Sequence, residues 1–516
     1  MRNQFFFILI FCSIFFLNGC WFNKPSLPER TLKTVLQADP RTLDPALSTS
    51  THSGILLGLI YSNLVSFDTS GKLIYDAAKY YKVSKDGLTY TFALQDGLRF
   101  SDGRPVRAVD VVTSLNRLAH PATASPRAWL MEPVAGYQAL RDGLTQTLSG
   151  VRVLDEKSLE IILSRRFAPF LSYLAMPQTA ILPANEVANG EVIPPGSGPY
   201  VLSRWVRDTE VLLTRNTQIK TSGNLQAIWF RIIKDPFTIV SEFKSGGLHL
   251  IEVPPQEVEN LRADKRFRTL DIEEFNVYFL GLNMKSPLLQ DIKMREALAH
   301  AIPREAILKN LLKGLGTLAT GPVPTGLSGF LREGGAEFNL ELAKQKLFES
   351  GYAGQELRLS VYNDPMNIAL CEVIKQSLEE IGVKVRIIPR DWNGFTEQLV
   401  NLDYEIYYRN WVADFPDGDN FLFPLYHSTS LGLMGNYSHY NQPGFDSVLE
   451  ASRQETDSVR REELLREAAV MARDDMSRIL LWYKKKVFAV AEAVRDYKPH
   501  PMYNSNKFLN TSLTQL

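Results

Sequence analysis

The sequence has very few cysteines and no excess of charge of either sign. Of its 516 residues only three are cysteine, and two of them, Cys12 and Cys20, lie among the first twenty. Cys371 is then left without a partner inside the folded chain, so no intramolecular disulfide is expected. Lysine plus arginine and aspartate plus glutamate number 57 each. This balance argues against nucleic acid or an anionic membrane surface as the main partner, because both require a basic face.

Motifs of the common catalytic sites are also missing. The stretch from Pro195 to Pro199 encloses Gly-Ser-Gly, but it lacks the spacing of a nucleophile elbow and suits a rigid bend. No phosphate-binding loop and no His-Glu-x-x-His motif occurs. The acidic run from Asp414 to Asp419 fails the EF-hand pattern, and the nearest histidines, His427 and His439, are twelve residues apart. We therefore expect no enzymatic activity, no cofactor and no metal site.

The N-terminus carries the one marked apolar run, from Phe5 to Leu17. It is too short for a permanent membrane span but suits the central region of a secretory signal. The motif Leu17-Asn18-Gly19-Cys20 follows and resembles a lipobox. We predict a lipoprotein signal peptide at 1–19, a lipid on Cys20 and a flexible tether over 20–30. The alternative is an ordinary signal peptide followed by a chance cysteine. The chain should be exported to the periplasm or cell surface and held to a bacterial membrane through Cys20.

The first half of the chain is rich in antiparallel strand signals. Residues Leu88 to Leu94 alternate larger apolar with smaller side chains, as a half-buried strand does. Tyr200 to Val206 and Val211 to Thr214, separated by three turn residues, indicate a hairpin.

The later part alternates strands with helices. Leu357 to Tyr362 reads as a strand, residues 366–381 as a helix ending at Gly382, and Val383 to Ile387 as another strand. Such a βαβ unit implies a parallel sheet with a right-handed crossover.

Two further helices are predicted in this part. Asn339 can cap a helix that ends at Gly351, and the apolar spacing predicts a long amphipathic helix from Val459 to Ile479. The chain should therefore form a large mixed α/β structure of several lobes with a cleft between them.

Several short blocks, spread in order over nearly the whole mature chain, are more specific than composition. The blocks are Leu43–Pro45, Leu94–Val106 with Ala108, Pro195–Tyr200 with Trp205, Asn283 with Arg295, Ala343–Tyr352, and Trp411–Asp414 with Asp417. Together they resemble the family 5 solute-binding proteins of oligopeptide and dipeptide ABC importers. The stretch Arg117–Pro126 is similar to the oligopeptide branch in particular.

The resemblance implies an α/β, three-lobed periplasmic-binding-protein fold of type II, similar to cluster C, with hinged flytrap closure. Lobe I would comprise residues 31–50, 183–277 and 488–516, lobe II residues 51–182, and lobe III residues 278–487. It also implies the substrate-binding component of an ABC importer, a monomer that captures short peptides and delivers them to a membrane permease.

By the same resemblance, Asp414 is the carboxylate that receives the amine of the ligand. A charge-assisted hydrogen bond of this kind contributes about 1.5–3 kcal/mol. A solvated loop acid is the alternative. The other ligand-binding candidates are Trp411, Val412, Ala413, Trp392, Tyr278, Tyr483, Trp129, Thr49 and Ser50. For the aromatic members core packing is the alternative, and for Thr49 and Ser50 it is a plain linker.

The chain departs from the oligopeptide branch where cationic side chains reach the carboxylate of the peptide. Ile368 and Leu399 stand at those positions, and Arg409 lies one residue out of register. The possible substitutes are Arg390, Lys484 and Lys485. The departure keeps other ligands open, among them a murein peptide, a metal chelate, haem or a sugar. A surface lipoprotein that acts as an adhesin or sensor is a further alternative.

Overall fold

The computed structural model describes residues 26–186 and 193–514. The predicted signal peptide, Cys20 and the first part of the predicted tether lie outside the described residues. Within those two ranges no helix is both long enough and apolar enough to cross a membrane.

Twenty strands occur in the described part of the chain. They are β1 (Thr31–Leu36), β2 (Val65–Phe67), β3 (Leu73–Tyr75), β4 (Ala78–Val83), β5 (Thr89–Leu94), β6 (Val151–Val153), β7 (Ser158–Ile162), β8 (Tyr200–Val206), β9 (Glu210–Arg215), β10 (Ala227–Ile232), β11 (Leu250–Glu252), β12 (Phe267–Glu273), β13 (Asn276–Leu282), β14 (Gly316–Leu318), β15 (Glu356–Tyr362), β16 (Lys384–Arg390), β17 (Ile406–Val412), β18 (Arg478–Ala491), β19 (Val494–Arg495) and β20 (Ser512–Leu513).

Fifteen α-helices lie between these strands in the same two ranges. They are α1 (Thr51–Ile60), α2 (Ala108–Ala119), α3 (Tyr137–Arg141), α4 (Phe170–Tyr173), α5 (Pro236–Lys244), α6 (Val258–Ala263), α7 (Pro287–Gln290), α8 (Ile292–Ala301), α9 (Arg304–Asn310), α10 (Leu340–Glu349), α11 (Pro365–Glu380), α12 (Trp392–Val400), α13 (Asp419–Tyr426), α14 (Pro443–Gln454) and α15 (Ser458–Asp474).

Five sheets occur in the described residues: three have four or more strands, and two are the pairs β2-β3 and β19-β20. The base sheet has the order β1-β10-β9-β8, with β1 parallel to β10. The small sheet has the order β4-β5-β7-β6 and is antiparallel throughout. The large sheet has the order β11-β18-β13-β17-β15-β16, with β12 and β14 also paired to β18. Parallel strands with helical crossovers therefore occupy one end of the large sheet, and antiparallel strands the other.

Strand β18 is long and pairs with different strands of the large sheet in its two halves. Its first half pairs with β13 up to Trp482, and its second half pairs with β12 from Lys485 onwards. The chain passes from β12 to β13 at the same level, between Glu273 and Asn276. Two neighbouring connections therefore join the two halves, an arrangement suited to hinge motion. The division into lobes stays a prediction.

All but one of the predicted local elements of both parts are confirmed. The strand at 88–94 is β5, and the predicted hairpin is the antiparallel pair β8 and β9. The βαβ unit is β15, α11 and β16, and its two strands pair in parallel. Asn339 caps α10 through its side chain, which accepts a hydrogen bond from Leu342 N at 3.0 Å.

The predicted helix from Val459 to Ile479 was wrong at its C-terminal end. Helix α15 ends at Asp474, and β18 begins at Arg478. Met476 between them has φ +47°, a left-handed backbone conformation that stops a helix. The following apolar residues are fully buried in the sheet, and a short apolar run fits a buried strand as well as it fits a helix.

The C-terminal segment closes over α1. A Cβ atom on Gly54 would clash with the ring of Tyr503, and one on Gly58 would clash with the carbonyl oxygen of Asn504. Both glycines of this helix therefore permit a close approach that larger residues would prevent. This contact places Tyr503 next to the start of α1, at the mouth of the site described below.

Candidate functional site

Most of the predicted ligand-binding residues lie where the parallel strands of the large sheet end. Strands β15, β16 and β17 run parallel, so their carboxyl ends lie at the same edge. Tyr362 ends β15, Trp392 follows β16, and residues 409–412 end β17. In open α/β sheets, ligands bind in the crevice outside the carboxyl ends of such strands.

The last residues of β17 have a free backbone edge. Strand β17 pairs with β15 only at Ile406 and Tyr407, and no other strand of the described ranges pairs with it on that side. Its other side is bonded to β13, with Ala413 N donating to Phe275 O at 2.8 Å. Backbone groups of an antiparallel strand alternate in direction. The N–H and C=O groups of Asn410 and Val412 therefore point away from β13, towards the unpaired side.

Asp414 lies just beyond this free edge. Its backbone N–H donates to Oδ1 of Asn420 at 2.8 Å, which fixes the turn after β17. Its carboxylate has two long contacts: Oδ1 is 3.4 Å from the hydroxyl of Tyr503, and Oδ2 is 3.5 Å from Nη1 of Arg127. Burial, and then the charge of Asp414, raise the pKa of Tyr503, so this hydroxyl stays a neutral donor. The carboxylate is 17% exposed and can still accept a stronger donor.

Arg127 approaches Asp414 from the part of the chain that carries the small sheet. Its guanidinium carbon is 5.8 Å from the ring centre of Trp129. Trp129 packs edge-on against Tyr173, at 5.4 Å, on the core of the small sheet. Sequence reasoning missed both Arg127 and Tyr503, since they are 287 and 89 residues away from Asp414 and no local pattern connects them. Trp129, in contrast, was predicted and lies beside the site.

Arg409 forms no ion pair with any carboxylate of residues 26–186 and 193–514. Its guanidinium carbon lies 5.4 Å from the ring centre of Trp392 and 4.8 Å from that of Tyr437. Its Nη1 is buried and has no hydrogen-bond partner in the described residues, and the same holds for Nε1 of Trp411. Cation–π contacts offset only part of the cost of burying a charge. The neighbouring Trp392 is 46% exposed, so the guanidinium lies close to the protein surface.

Tyr278 lies at the same edge, but Tyr483 points elsewhere. The ring of Tyr278 is 6.3 Å from that of Tyr408 and 6.4 Å from that of Trp482. The hydroxyl of Tyr483 donates to the carbonyl oxygen of Gly321 at 2.7 Å and accepts from the N–H of the same residue at 3.1 Å. The hydroxyl of Tyr483 thus holds the loop at Gly321 in place.

The two predicted residues before α1, Thr49 and Ser50, have different environments. Thr49 is exposed, and Oγ of Ser50 accepts from Ser53 N at 3.1 Å at the start of α1. Burial, and then the charge of Lys486, lower the pKa of His52. Lys486 is thus close enough to the start of α1 for its charge to act on His52.

The other cations considered from the sequence differ in their partners. Lys485 pairs with Glu273 at 3.0 Å. Nζ of Lys484 lies 5.9 Å from the ring centre of Tyr278 and has no carboxylate within 4 Å in the described ranges. Arg390 is exposed at the end of β16. Among these groups and Arg409, Arg409 combines a buried unpartnered donor with a position on the free strand.

No group of three or more histidine, cysteine, aspartate or glutamate side chains that could hold a metal ion occurs within residues 26–186 and 193–514. Cys371 is a buried free thiol on α11, and burial raises its pKa.

Comparisons with known proteins cover most of the chain. Residues 72–432 match the family model described as bacterial extracellular solute-binding proteins, family 5 middle. The dipeptide-binding protein of Escherichia coli is 25% identical over 521 residues, which cover 95% of each chain. The Helicobacter pylori periplasmic binding protein DppA, solved with the peptide STSA, has a TM-score of 0.81 at 24% identity, covering 94% of this chain and 98% of that one. The E. coli murein tripeptide binding protein MppA has a TM-score of 0.80 at 23% identity, covering 95% and 100%. The predicted α/β periplasmic-binding-protein fold is therefore confirmed.

Proposed function

Since the chain belongs to the bacterial extracellular solute-binding proteins of family 5, we propose that it is the substrate-binding component of an ABC importer and captures short peptides at the edge of its large sheet. The observation that carries the proposal is the free backbone edge of β17, which ends at the partly exposed carboxylate of Asp414.

A free strand edge suits a ligand that is itself a polypeptide. An extended peptide can pair with the outward N–H and C=O groups of Asn410 and Val412, as a strand adds to a sheet. The backbone N–H and C=O groups of the ligand are common to all peptides, so pairing of this kind does not select side chains. Trp411 and Trp392 then border the space for those side chains, together with Tyr278.

The two charges on β17 and after it match the two ends of a peptide. Asp414 would receive the terminal amine, and Arg409 would receive the terminal carboxylate, whose charge needs a partner when water is excluded. The five residue steps from Arg409 to Asp414 span about 16 Å in extended backbone. A peptide of up to about five residues would fit between them.

Closure would follow from these contacts. A ligand that contacts both sides of the cleft only in the closed form shifts the population towards that form, which the permease can then recognise. The protein would act as a monomer without enzymatic activity, anchored to the membrane through the lipid on Cys20.

Mass spectrometry of the purified protein tests the peptide assignment directly. We expect intact-complex spectra to show bound species that, after denaturation, are released as peptides of a narrow length range, up to about five residues. An empty protein whose Tm does not change with a mixed peptide library would contradict the proposal. Murein fragments would then be the first ligands to test.

Replacing Arg409 with methionine tests the carboxylate site. We expect Arg409→Met to weaken binding of Ala-Ala-Ala-Ala by about tenfold or more, since a charge-assisted bond of about 1.5–3 kcal/mol is lost. The carboxamide form of the same peptide should lose less than threefold, because it cannot make that bond. Calorimetric titration of both peptides measures the difference.

The matched control is Arg386→Met, on the exposed face of β16 in the same sheet. It should change neither affinity. Equal losses for the acid and the amide in Arg409→Met would mean that Arg409 only supports the packing of Trp392.

A further inference from the structure

Asp414, the proposed acceptor of the ligand amine, already contacts a cationic side chain of the protein, that of Arg127. Arg127 and Asp414 contact each other through one nitrogen and one oxygen at 3.5 Å, and their side chains are 21% and 17% exposed. A single contact of this length is weaker than the 2.7–2.9 Å bonds that a charged donor and a carboxylate form in good geometry. The pair is therefore open to exchange with an arriving ammonium group.

Displacement leaves Arg127 without a counter-ion. Asp414 is the only carboxylate within 4 Å of its guanidinium in residues 26–186 and 193–514. The Trp129 ring borders the guanidinium on one side, with its centre 5.8 Å from the guanidinium carbon. A partly buried charge without a partner costs free energy. A ligand that brings only an amine gains one ion pair and breaks another.

A ligand that brings both charges together avoids this loss. Its ammonium replaces Arg127 at Asp414, and an anionic group next to that ammonium becomes the new partner of Arg127. The side chain of the first residue of a peptide is the group nearest to the terminal amine. The terminal carboxylate lies at the other end, at Arg409 in the proposed arrangement.

We propose that Arg127 makes the protein selective for peptides whose first residue is acidic, aspartate or glutamate, with a free amine. The proposal rests on the proposed peptide-binding function and adds to it the substrate class. Asp414 and Tyr503 bind the ammonium, and Arg127 binds the first side-chain carboxylate from the opposite wall of the cleft. Specificity thus resides in a residue outside the large sheet, while the sheet edge binds the common backbone.

Matched tetrapeptides separate this role from general peptide binding. The probes are Glu-Ala-Ala-Ala, its neutral counterpart Gln-Ala-Ala-Ala, and N-acetylated Glu-Ala-Ala-Ala, titrated by calorimetry at pH 7.5. The wild-type protein should bind the glutamate peptide about tenfold or more tightly than the glutamine peptide, as for one charge-assisted contact. In Arg127→Gln the preference should vanish, because the glutamate peptide loses affinity while the glutamine peptide gains it. Arg152→Gln, an exposed arginine on β6, should keep the wild-type preference.

The outcomes distinguish this proposal from the proposed function. Equal affinities for the glutamate and glutamine peptides in the wild type, or an unchanged preference in Arg127→Gln, would overturn the role of Arg127 alone. N-acetylation should weaken the glutamate peptide in every protein that retains Asp414. Failure of all three peptides to bind the wild type would overturn both the peptide-binding function and this inference.

Discussion

Asp414→Asn should weaken binding of Ala-Ala-Ala-Ala between tenfold and about a hundredfold. In the proposed arrangement the substitution removes the negative charge that pairs with the terminal ammonium, and the loss corresponds to about 1.5–3 kcal/mol. It also leaves Arg127 beside the ammonium without an opposing charge. Calorimetric titration at pH 7.5 measures the change.

The stability of the protein should change little in the same variant. Both side-chain contacts of Asp414 are long, at 3.4 and 3.5 Å, and its backbone bond to Asn420 does not depend on the carboxylate. The Tm without ligand should therefore fall by no more than a few degrees. An unchanged affinity would remove Asp414 from the site, and a large fall in Tm would mean that its role is structural.

Two controls make the result specific to the ligand amine. N-acetylated Ala-Ala-Ala-Ala lacks the ammonium, so Asp414→Asn should change its affinity less than the affinity of the free peptide. Asp208→Asn removes a carboxylate from the exposed turn of the β8–β9 hairpin, where the side chain is 71% exposed. That variant should bind both peptides as the wild type does.

Arg453→Met should destabilise the protein by about 3–5 kcal/mol at pH 7.5, because it leaves a buried carboxylate without its partner. Nε of Arg453 is 3.1 Å from Oδ1 of Asp419, and the arginine is 5% exposed. Its guanidinium also lies 3.5 Å from the ring centre of Phe423 and donates to the hydroxyl of Tyr173 at 3.1 Å. The arginine therefore joins α14 to α4, whose Tyr173 packs in the core of the small sheet.

The loss should depend on pH in a direction set by Asp419. Burial raises the pKa of Asp419 to about 6 although the charge of Arg453 opposes the rise. Without Arg453 the pKa rises further. Between the unfolded value of about 4 and the raised folded value, the folded protein binds more protons than the unfolded chain, so stability falls as pH rises. The difference between variant and wild type should accordingly be smaller at pH 5 than at pH 7.5.

Urea unfolding followed by tryptophan fluorescence at both pH values measures this difference. Arg460→Met is the matched control, since Arg460 is exposed on α15 and pairs with Glu463 on the surface. It should cost less than about 1 kcal/mol at either pH, as exposed ion pairs do. A destabilisation of Arg453→Met that is the same at pH 5 and pH 7.5 would show that lost packing, and not the charge of Asp419, is the cause.

Much of the fold could be predicted because its signals are local. The βαβ unit of β15, α11 and β16 follows from alternation, a helical face and a glycine with φ +94° at Gly382. The error at the end of α15 arose because a fully buried strand carries no alternation. The apolar residues after Arg478 therefore matched a helix and a strand equally well.

The site was less accessible to sequence reasoning. Asp414 and the aromatic residues of the sheet edge came from family resemblance, but Arg127 and Tyr503 reach the site through tertiary contacts only. Tyr483 was predicted as a ligand contact, but its hydroxyl holds the loop at Gly321. The sequence alone cannot distinguish these two roles of an aromatic residue. The pairing of Arg127 with Asp414 becomes visible only with coordinates.

The closure of the C-terminal segment over α1 has a consequence for how the molecule folds. Asn504 packs closely against Gly58 of α1, and Nζ of Lys507 binds Asp76, 431 residues earlier, at 2.7 Å. Contacts between such distant residues form late, because long loops must close before the contact offsets their entropy. The packing around α1 is therefore completed only after residues 503–507 have been added to the chain. We expect the partly folded chain to be prone to aggregation until this contact forms.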